Sequence, residues 1–281
     1  MTTARKQPGA STAEAFDHSH QGRMRSATVE RIYRAAFGPD YPAAAQPNAF
    51  YSHTTLRFLV DALRLAPGRA LVDLGCGHGG PGLWAAQQTG ASLTGIDLSP
   101  VGIQIARRRA AELGLGQRAR FQVGDLTATG LPDACRDAAI SLDVLPFVAD
   151  KAAALREVVR ILRPGGRFAF TTWEQLESPA TAAGPARDAL AGSFQGHPLL
   201  GGARSDYRAL IQEAGLTIEA YREPPHWRPQ QQALAEGIIA AEAQLTGEMG
   251  AHYPAMARVF LGALPTARYV SVVARRPPQT S

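Results

Sequence analysis

The sequence predicts an α/β protein built on a parallel sheet with helices on both faces. Three observations carry this. Short apolar runs alternate with helical patterns through the middle of the chain. One glycine-rich turn, Gly75-Cys76-Gly77-His78-Gly79-Gly80, joins the first such run to a helix. Four successive runs end in a carboxylate, at Asp73, Asp97, Asp125 and Asp143. In sheets of this kind ligands bind beyond the carboxyl ends of the strands, so the four acids are expected to share one site.

The elements follow in order. Residues 1–25 are polar and are expected to be disordered; His18 and His20 within them lack a third metal ligand nearby. Val29, Ile32, Tyr33 and Ala36 recur at helical spacing up to Gly38-Pro39. A Pro- and Ala-rich loop, residues 41–48, leads to a second helix carrying Leu56, Leu59, Val60 and Leu63. These two helices, residues 26–66, pack either on the sheet's flank or over the glycine loop as a lid. Ala70 to Leu74 is the first strand. Pro81 and Gly90 bracket the next helix, and Ser92 to Asp97 is the second strand. Ser99-Pro100 is an N-cap and first-turn pair for a helix ending near Leu113.

Strands are then expected at Ala119 to Val123 and at Asp137 to Leu142. A helix follows on Leu155, Val158, Val159 and Leu162. Arg163-Pro164-Gly165-Gly166 has Pro and Gly where a type II turn needs them, ahead of a strand from Arg167 to Trp173. Residues 174–203 are weakly patterned. A helix near Tyr207 to Ala214 and strands near Leu216 to Tyr221 and Tyr269 to Ala274 complete the sheet. Between the last two strands lies a helical insertion at about residues 228–264.

Composition narrows the functional classes. The chain has 281 residues, 45% of them hydrophobic, enough for one elaborated domain at residues 67–281. The net charge is +5, and Lys6 and Lys151 are the only lysines. Arg107, Arg108 and Arg109 form the one dense basic run, which reads as a solvated helix face. No basic face with interleaved aromatics suggests nucleic acid. Two cysteines, one of them inside the glycine loop, suit a reducing compartment. No secretory segment or membrane-length apolar run is present in the sequence, so a cytoplasmic protein is expected.

The glycine loop admits two readings. Gly75, Gly77 and Gly80 fit the dinucleotide pattern G-x-G-x-x-G. Asp73, Gly75, Gly77 and Gly79 fit D-x-G-x-G-x-G, the first motif of class I S-adenosylmethionine (SAM) methyltransferases. The ordered set D-L-G-C-G-H-G-G, G-I-D-L-S, V-G-D-L, S-L-D-V-L-P-F and L-R-P-G-G-R-F, spanning about Ala70 to Trp173, resembles that methyltransferase family, in particular its small-molecule biosynthetic members.

The resemblance implies a Rossmann-like seven-stranded sheet, mostly parallel with the last strand antiparallel, with helical lid additions. The implied cofactor is S-adenosyl-L-methionine. It implies that Gly75 and Gly77 admit the methionine portion, with Asp73 beside its amino group. Asp97 would bind the ribose hydroxyls and Leu98 pack on the adenine. Asp125 and the Leu126 amide would meet the adenine edge, and Asp143 would lie near the methionine portion or the sulfonium. The motif at Asp143 lacks the D/N-P-P-Y/F tetrad of amino-directed DNA methyltransferases, and Trp173-Glu174-Gln175 lacks the acid–Asn set of metal-dependent catechol methyltransferases. A small-molecule acceptor and no metal are therefore expected. The alternatives are a nicotinamide oxidoreductase and a methyltransferase-fold protein that uses SAM structurally.

Candidate general bases are His53, His197 and His226, the first and last standing beside aromatic residues. Tyr41 and Tyr51 flank the Pro-rich loop and are expected to belong to a lid at the acceptor site together with His197. Tyr33 and Trp173 read as core. Acceptor identity and oligomeric state are not legible in the sequence; a homodimer is compatible with it.

Overall fold

The structure is a computed structural model that describes residues 10–175 and 206–278. Seven strands form one sheet: β1 (Ala70–Leu74), β2 (Ser92–Asp97), β3 (Ala119–Val123), β4 (Arg136–Leu142), β5 (Leu162–Gln175), β6 (Thr217–Arg222) and β7 (Ala267–Arg275). Their spatial order is β3-β2-β1-β4-β5-β7-β6. β7 alone runs antiparallel to its neighbours, pairing with β5 and β6; β1 to β5 pair in parallel. The strand order reverses between β1 and β4, which opens a crevice at their carboxyl ends.

Alternation along the strands separates two buried layers. Leu71, Leu93, Phe121 and Ile140 face α3 (His53–Ala62), α4 (Gly80–Thr89) and α5 (Pro100–Glu112). Val72, Ile96, Phe168 and Phe170 face α6 (Lys151–Ile161) and α7 (Arg208–Glu213). Full burial of each such side chain stabilises by about 1.5–3 kcal/mol. Four helix starts are capped: the hydroxyls of Ser26, Ser52 and Ser99 and the Asp150 carboxylate accept amides of the first turn in α2 (Ala27–Phe37), α3, α5 and α6.

A third cluster lies beyond the strand ends. It joins Val29, Ile32 and Tyr33 of α2 to α8 (Trp227–Ala240), α9 (Glu242–Met249) and α10 (His252–Ala263), with Trp173 and Tyr269 beneath. The two N-terminal helices therefore divide. α3 packs on β5 and β7 at the sheet's flank, whereas α2 packs on α8 over the strand ends.

Two local expectations need correction. Residues 10–25, expected to be disordered, form helix α1 (Ala10–Arg25). Polar tethers hold it: the Asp17 carboxylate accepts the Ser99 hydroxyl and, at 3.1 Å, the Val101 amide, while Arg23 Nε donates to Pro47 O at 2.9 Å. The Pro-Gly-Gly step, expected as a turn before β5, lies within β5 as an irregular stretch. The register shifts opposite it between Arg136 and Ala138, and Gly165 takes the φ of +81° that a type II turn would have demanded.

Candidate active site

The glycine loop is shaped by contacts that leave no room for side chains. Gly75 and Gly77 adopt φ of +75° and +51°. A Cβ on Gly75 would come within 2.4 Å of Val144, and one on Gly77 within 2.6 Å of the His20 ring. The loop is therefore roofed by α1 and by the turn after β4. Asp97 organises it from the neighbouring strand: Oδ2 accepts the Gly77 amide at 2.7 Å and Oδ1 the Ser99 amide at 2.8 Å. Each oxygen keeps a lone pair, which two vicinal hydroxyls can use.

These groups open into a cavity of about 840 Å³. Of the cofactor residues expected from the sequence, Gly75, Gly77, Asp97, Leu98, Asp125, Leu126 and Asp143 all line it. Asp125 Oδ1 accepts the Thr127 amide and hydroxyl, each at 2.8 Å, leaving Oδ2 free toward a ligand. Asp73 does not line the cavity. It is buried beneath the loop and accepts the Gly82 amide at 3.0 Å. Burial pushes its carboxyl up to about 7, with Asp97 nearby adding to the shift and the Gly82 hydrogen bond opposing it.

Asp143 closes the strand ends at φ +60°. Its Oδ2 accepts the Phe50 amide at 2.7 Å and the Tyr269 hydroxyl at 3.2 Å; its Oδ1 accepts the Thr171 hydroxyl at 2.8 Å. Burial raises this carboxyl to about 6, against the pull of those three donors. One lone pair on Oδ1 remains unused by protein.

The acceptor-side expectations fare differently. His53 does not line the cavity; its ring packs edge-on against Trp84, centroids 5.6 Å apart. His226 is exposed at the start of α8 with φ +58°, also outside the cavity lining. His53 stands on the helix that packs against β5 and β7 at the flank of the sheet, and His226 is turned to solvent. His197 lies outside the described residues. Tyr41 and Tyr51 are buried behind the wall and do not line the cavity: Tyr41 donates to Glu30 at 2.6 Å, and Tyr51 is 1% exposed. Tyr33, expected in the core, lines the cavity, as do Phe50 and Tyr253.

Sequence reasoning missed two residues. His20 sits over Gly77, 6% exposed, with its ring 5.7 Å from that of His78. Burial lowers its pKa, Asp97 and Asp17 opposing, so the ring is neutral near pH 7. Arg109, expected on a solvated face, is buried; its Nη1 donates to His78 O at 2.9 Å and its Nη2 to Ala45 O at 3.3 Å, joining the glycine loop to the Pro-rich loop. An arginine at the i+3 spacing from inward-facing Ala106 was the available signal. Among the described residues no group of three or more His, Cys, Asp or Glu could hold a metal, and no helix is long and apolar enough to cross a membrane.

Comparison with known proteins agrees with this geometry. Residues 72–170 match the methyltransferase-domain family. The chain is 30% identical over 227 residues to 27-O-demethylrifamycin SV methyltransferase of Amycolatopsis mediterranei, covering 78% of this chain and 81% of that one. It is 29% identical to methyltransferase GfsG of Streptomyces halstedii over 65% of this chain, a match that spans 64% of GfsG's length. Among solved structures, the [4+2]-cyclase SpnF superposes with a TM-score of 0.68 at 25% identity, over 80% of this chain and 81% of that one. The fold is also that of geranyl diphosphate C-methyltransferase from Streptomyces coelicolor A3(2), TM-score 0.69 at 20% identity, over 96% and 100% of the two chains. The chain belongs to the class I SAM-dependent methyltransferases. Its cofactor is S-adenosylmethionine, and the nicotinamide reading of the glycine loop is set aside.

Proposed function

We propose that this protein transfers the methyl group of S-adenosylmethionine to a small-molecule acceptor of natural-product type. The observation that carries the proposal is the continuity of one cavity. Its strand-end side presents Gly75, Gly77, Asp97 and Asp125, and the same space runs on to an apolar wall from α8 and α10. The volume of about 840 Å³ sits within the ~300–1,000 Å³ range of small-molecule sites.

Bound S-adenosylmethionine would supply an already activated methyl whose leaving group is a neutral thioether. Asp97 would hold the ribose hydroxyls through its free lone pairs, and Asp125, Leu98 and Leu126 would hold the adenine. His20, neutral over Gly77, would close the ribose face. The chain's main contribution to rate is then alignment, which in favourable cases is worth roughly 7–11 kcal/mol. Asp143 replaces the histidines as the candidate base: it lines the cavity, its burial makes it more basic than an ordinary carboxylate, and Oδ1 has a site for an acceptor proton.

The supporting relatives are the rifamycin and GfsG methyltransferases. The likeness to the [4+2]-cyclase SpnF favours a second reading in which the same cavity folds a substrate for ring closure. Production of S-adenosylhomocysteine from SAM and a candidate natural-product acceptor distinguishes the two. Stoichiometric product supports methyl transfer; acceptor conversion without it supports cyclisation. We also place the protein in the cytoplasm, on the ground that Cys76 and Cys135 are both free thiols.

A further inference from the structure

The two sides of the cavity differ in charge. The carboxylates of Asp97, Asp125, Asp143 and Asp150 all stand at strand ends or in the turns that follow them. The opposite wall is made by Leu234, Ala235 and Ile238 of α8 and Met256, Ala257 and Phe260 of α10, with no charged side chain among them. The polar atoms that this apolar end offers are two phenols, those of Tyr33 on α2 and Tyr253 on α10.

The two phenols come from different helices and lie close enough to influence each other's titration. Each phenol that lines the cavity has one proton to donate and lone pairs to accept with. Burial keeps Tyr33 protonated, its pKa raised to about 12, so it acts as a donor. The Asp143 charge adds to the rise in the Tyr33 pKa, and Arg23 opposes it. The cation behind the pair, Arg23, is engaged by Glu30 at 2.9 Å, Tyr41 at 3.2 Å and Pro47 O at 2.9 Å, and does not reach the cavity. His20 and Arg156, which do line it, come from α1 and α6 and belong to other walls.

An anionic acceptor would leave its charge unpaired on this wall and share the cavity with Asp143 and Asp150, the lining carboxylates that the cofactor does not take, and an ammonium would lose its hydration against Leu and Phe side chains. A neutral oxygen on an apolar body meets neither penalty. Resting on the methyltransferase reading above, we propose that the acceptor is an uncharged, largely apolar molecule whose hydroxyl or carbonyl oxygen is gripped by the Tyr33–Tyr253 phenol pair, and that these two residues determine specificity.

The test uses the full chain saturated with S-adenosylhomocysteine and 2-naphthol as a neutral probe, with 2-naphthyl phosphate as its anionic counterpart, measured by calorimetry. Tyr33→Phe and Tyr253→Phe keep the ring and delete the hydroxyl. The expected result is a loss of about 5–10-fold in 2-naphthol affinity for Tyr33→Phe and for the double variant, with S-adenosylhomocysteine affinity within about twofold of the original. The phosphate should bind at least about tenfold more weakly than 2-naphthol. Equal or tighter binding of the phosphate, or undiminished 2-naphthol binding by the double variant, overturns the proposal while leaving the cofactor reading intact. Failure of the unaltered protein to bind S-adenosylhomocysteine overturns the methyltransferase reading, and this proposal with it.

Discussion

The Phe50 backbone amide donates to Asp143 Oδ2 at 2.7 Å, tying the Pro-rich loop to the end of β4 across 93 residues of sequence. The same residue is held from the other side, where Gln231 Nε2 donates to Phe50 O at 2.5 Å, and its ring stacks on Phe260 with centroids 4.8 Å apart. Phe50 thus lies between the strand-end carboxylate and the apolar wall. Replacing Asp143 by Ala leaves a half-buried amide without its charged partner, a loss of about 1.5–3 kcal/mol of local hydrogen bonding. Chymotrypsin cleavage after Phe50 or Tyr51 should become several-fold faster than in the unaltered protein. Unchanged protection would show that the remaining contacts, from Gln231, Phe260, Arg23 and Arg109, hold the loop without Asp143.

Asp97 concentrates two structural hydrogen bonds and the expected ribose contacts on one carboxylate. Asp97→Ala should lower S-adenosylhomocysteine affinity by about 100-fold or more, since hydrogen bonds to charged groups contribute about 1.5–3 kcal/mol each. Titration calorimetry reads this directly, and retention of native affinity would remove Asp97 from the site.

Asp73 carries a stability cost that depends on pH. Its folded pKa of about 7 exceeds the ordinary value of 3.8, so between those values the folded chain binds more proton than the unfolded chain. Stability from this group is full below the unfolded pKa and is lost as pH rises through about 7. Asp73→Asn, which keeps an acceptor for the Gly82 amide, should raise the melting temperature at pH 8 and lose that advantage near pH 4. Equal melting temperatures at pH 8 would refute the shift.

If Asp143 takes the acceptor proton, the rate should rise with pH through about 6 and then level off, because the ionised form is the active one. Asp143→Asn should lower turnover by about 10²–10⁴-fold, while His53→Gln and His226→Gln should leave it within about twofold. A severe loss in either histidine variant would return the base to the helical flanks.

The parts legible in the sequence are those whose local chemistry dictates their geometry. Pro81 and Gly90 at the two ends of α4, Ser99-Pro100 at the start of α5 and the carboxylates at the ends of β1, β2 and β4 each need a particular backbone or a particular strand end, and each stands where its residue type requires. Helix α1 was illegible because its tethers, Asp17 to Ser99 and Arg23 to Pro47 O, are polar and distant in sequence and leave no apolar stripe to read. Tyr33 was read as core for a related reason. A cavity wall facing an apolar ligand has the same periodicity as a packed interior, so helical spacing cannot separate them. The histidines were chosen for their chemistry, and chemistry carries no information about direction; His20, set aside among polar residues, is the one the fold turns toward the glycine loop.

Every cofactor-side lining residue that the sequence points to, from Gly75 to Asp143, lies within one continuous stretch, whereas the opposite wall comes from α8 and α10, inserted between β6 and β7. Such an insertion can be exchanged as a cassette at the two strand boundaries without disturbing a residue that grips the nucleoside. Chimaeras cut at residues 222 and 267 would exchange the apolar wall together with Tyr253 while Tyr33 of α2 stays in place, so the two halves of the acceptor contact can be varied independently.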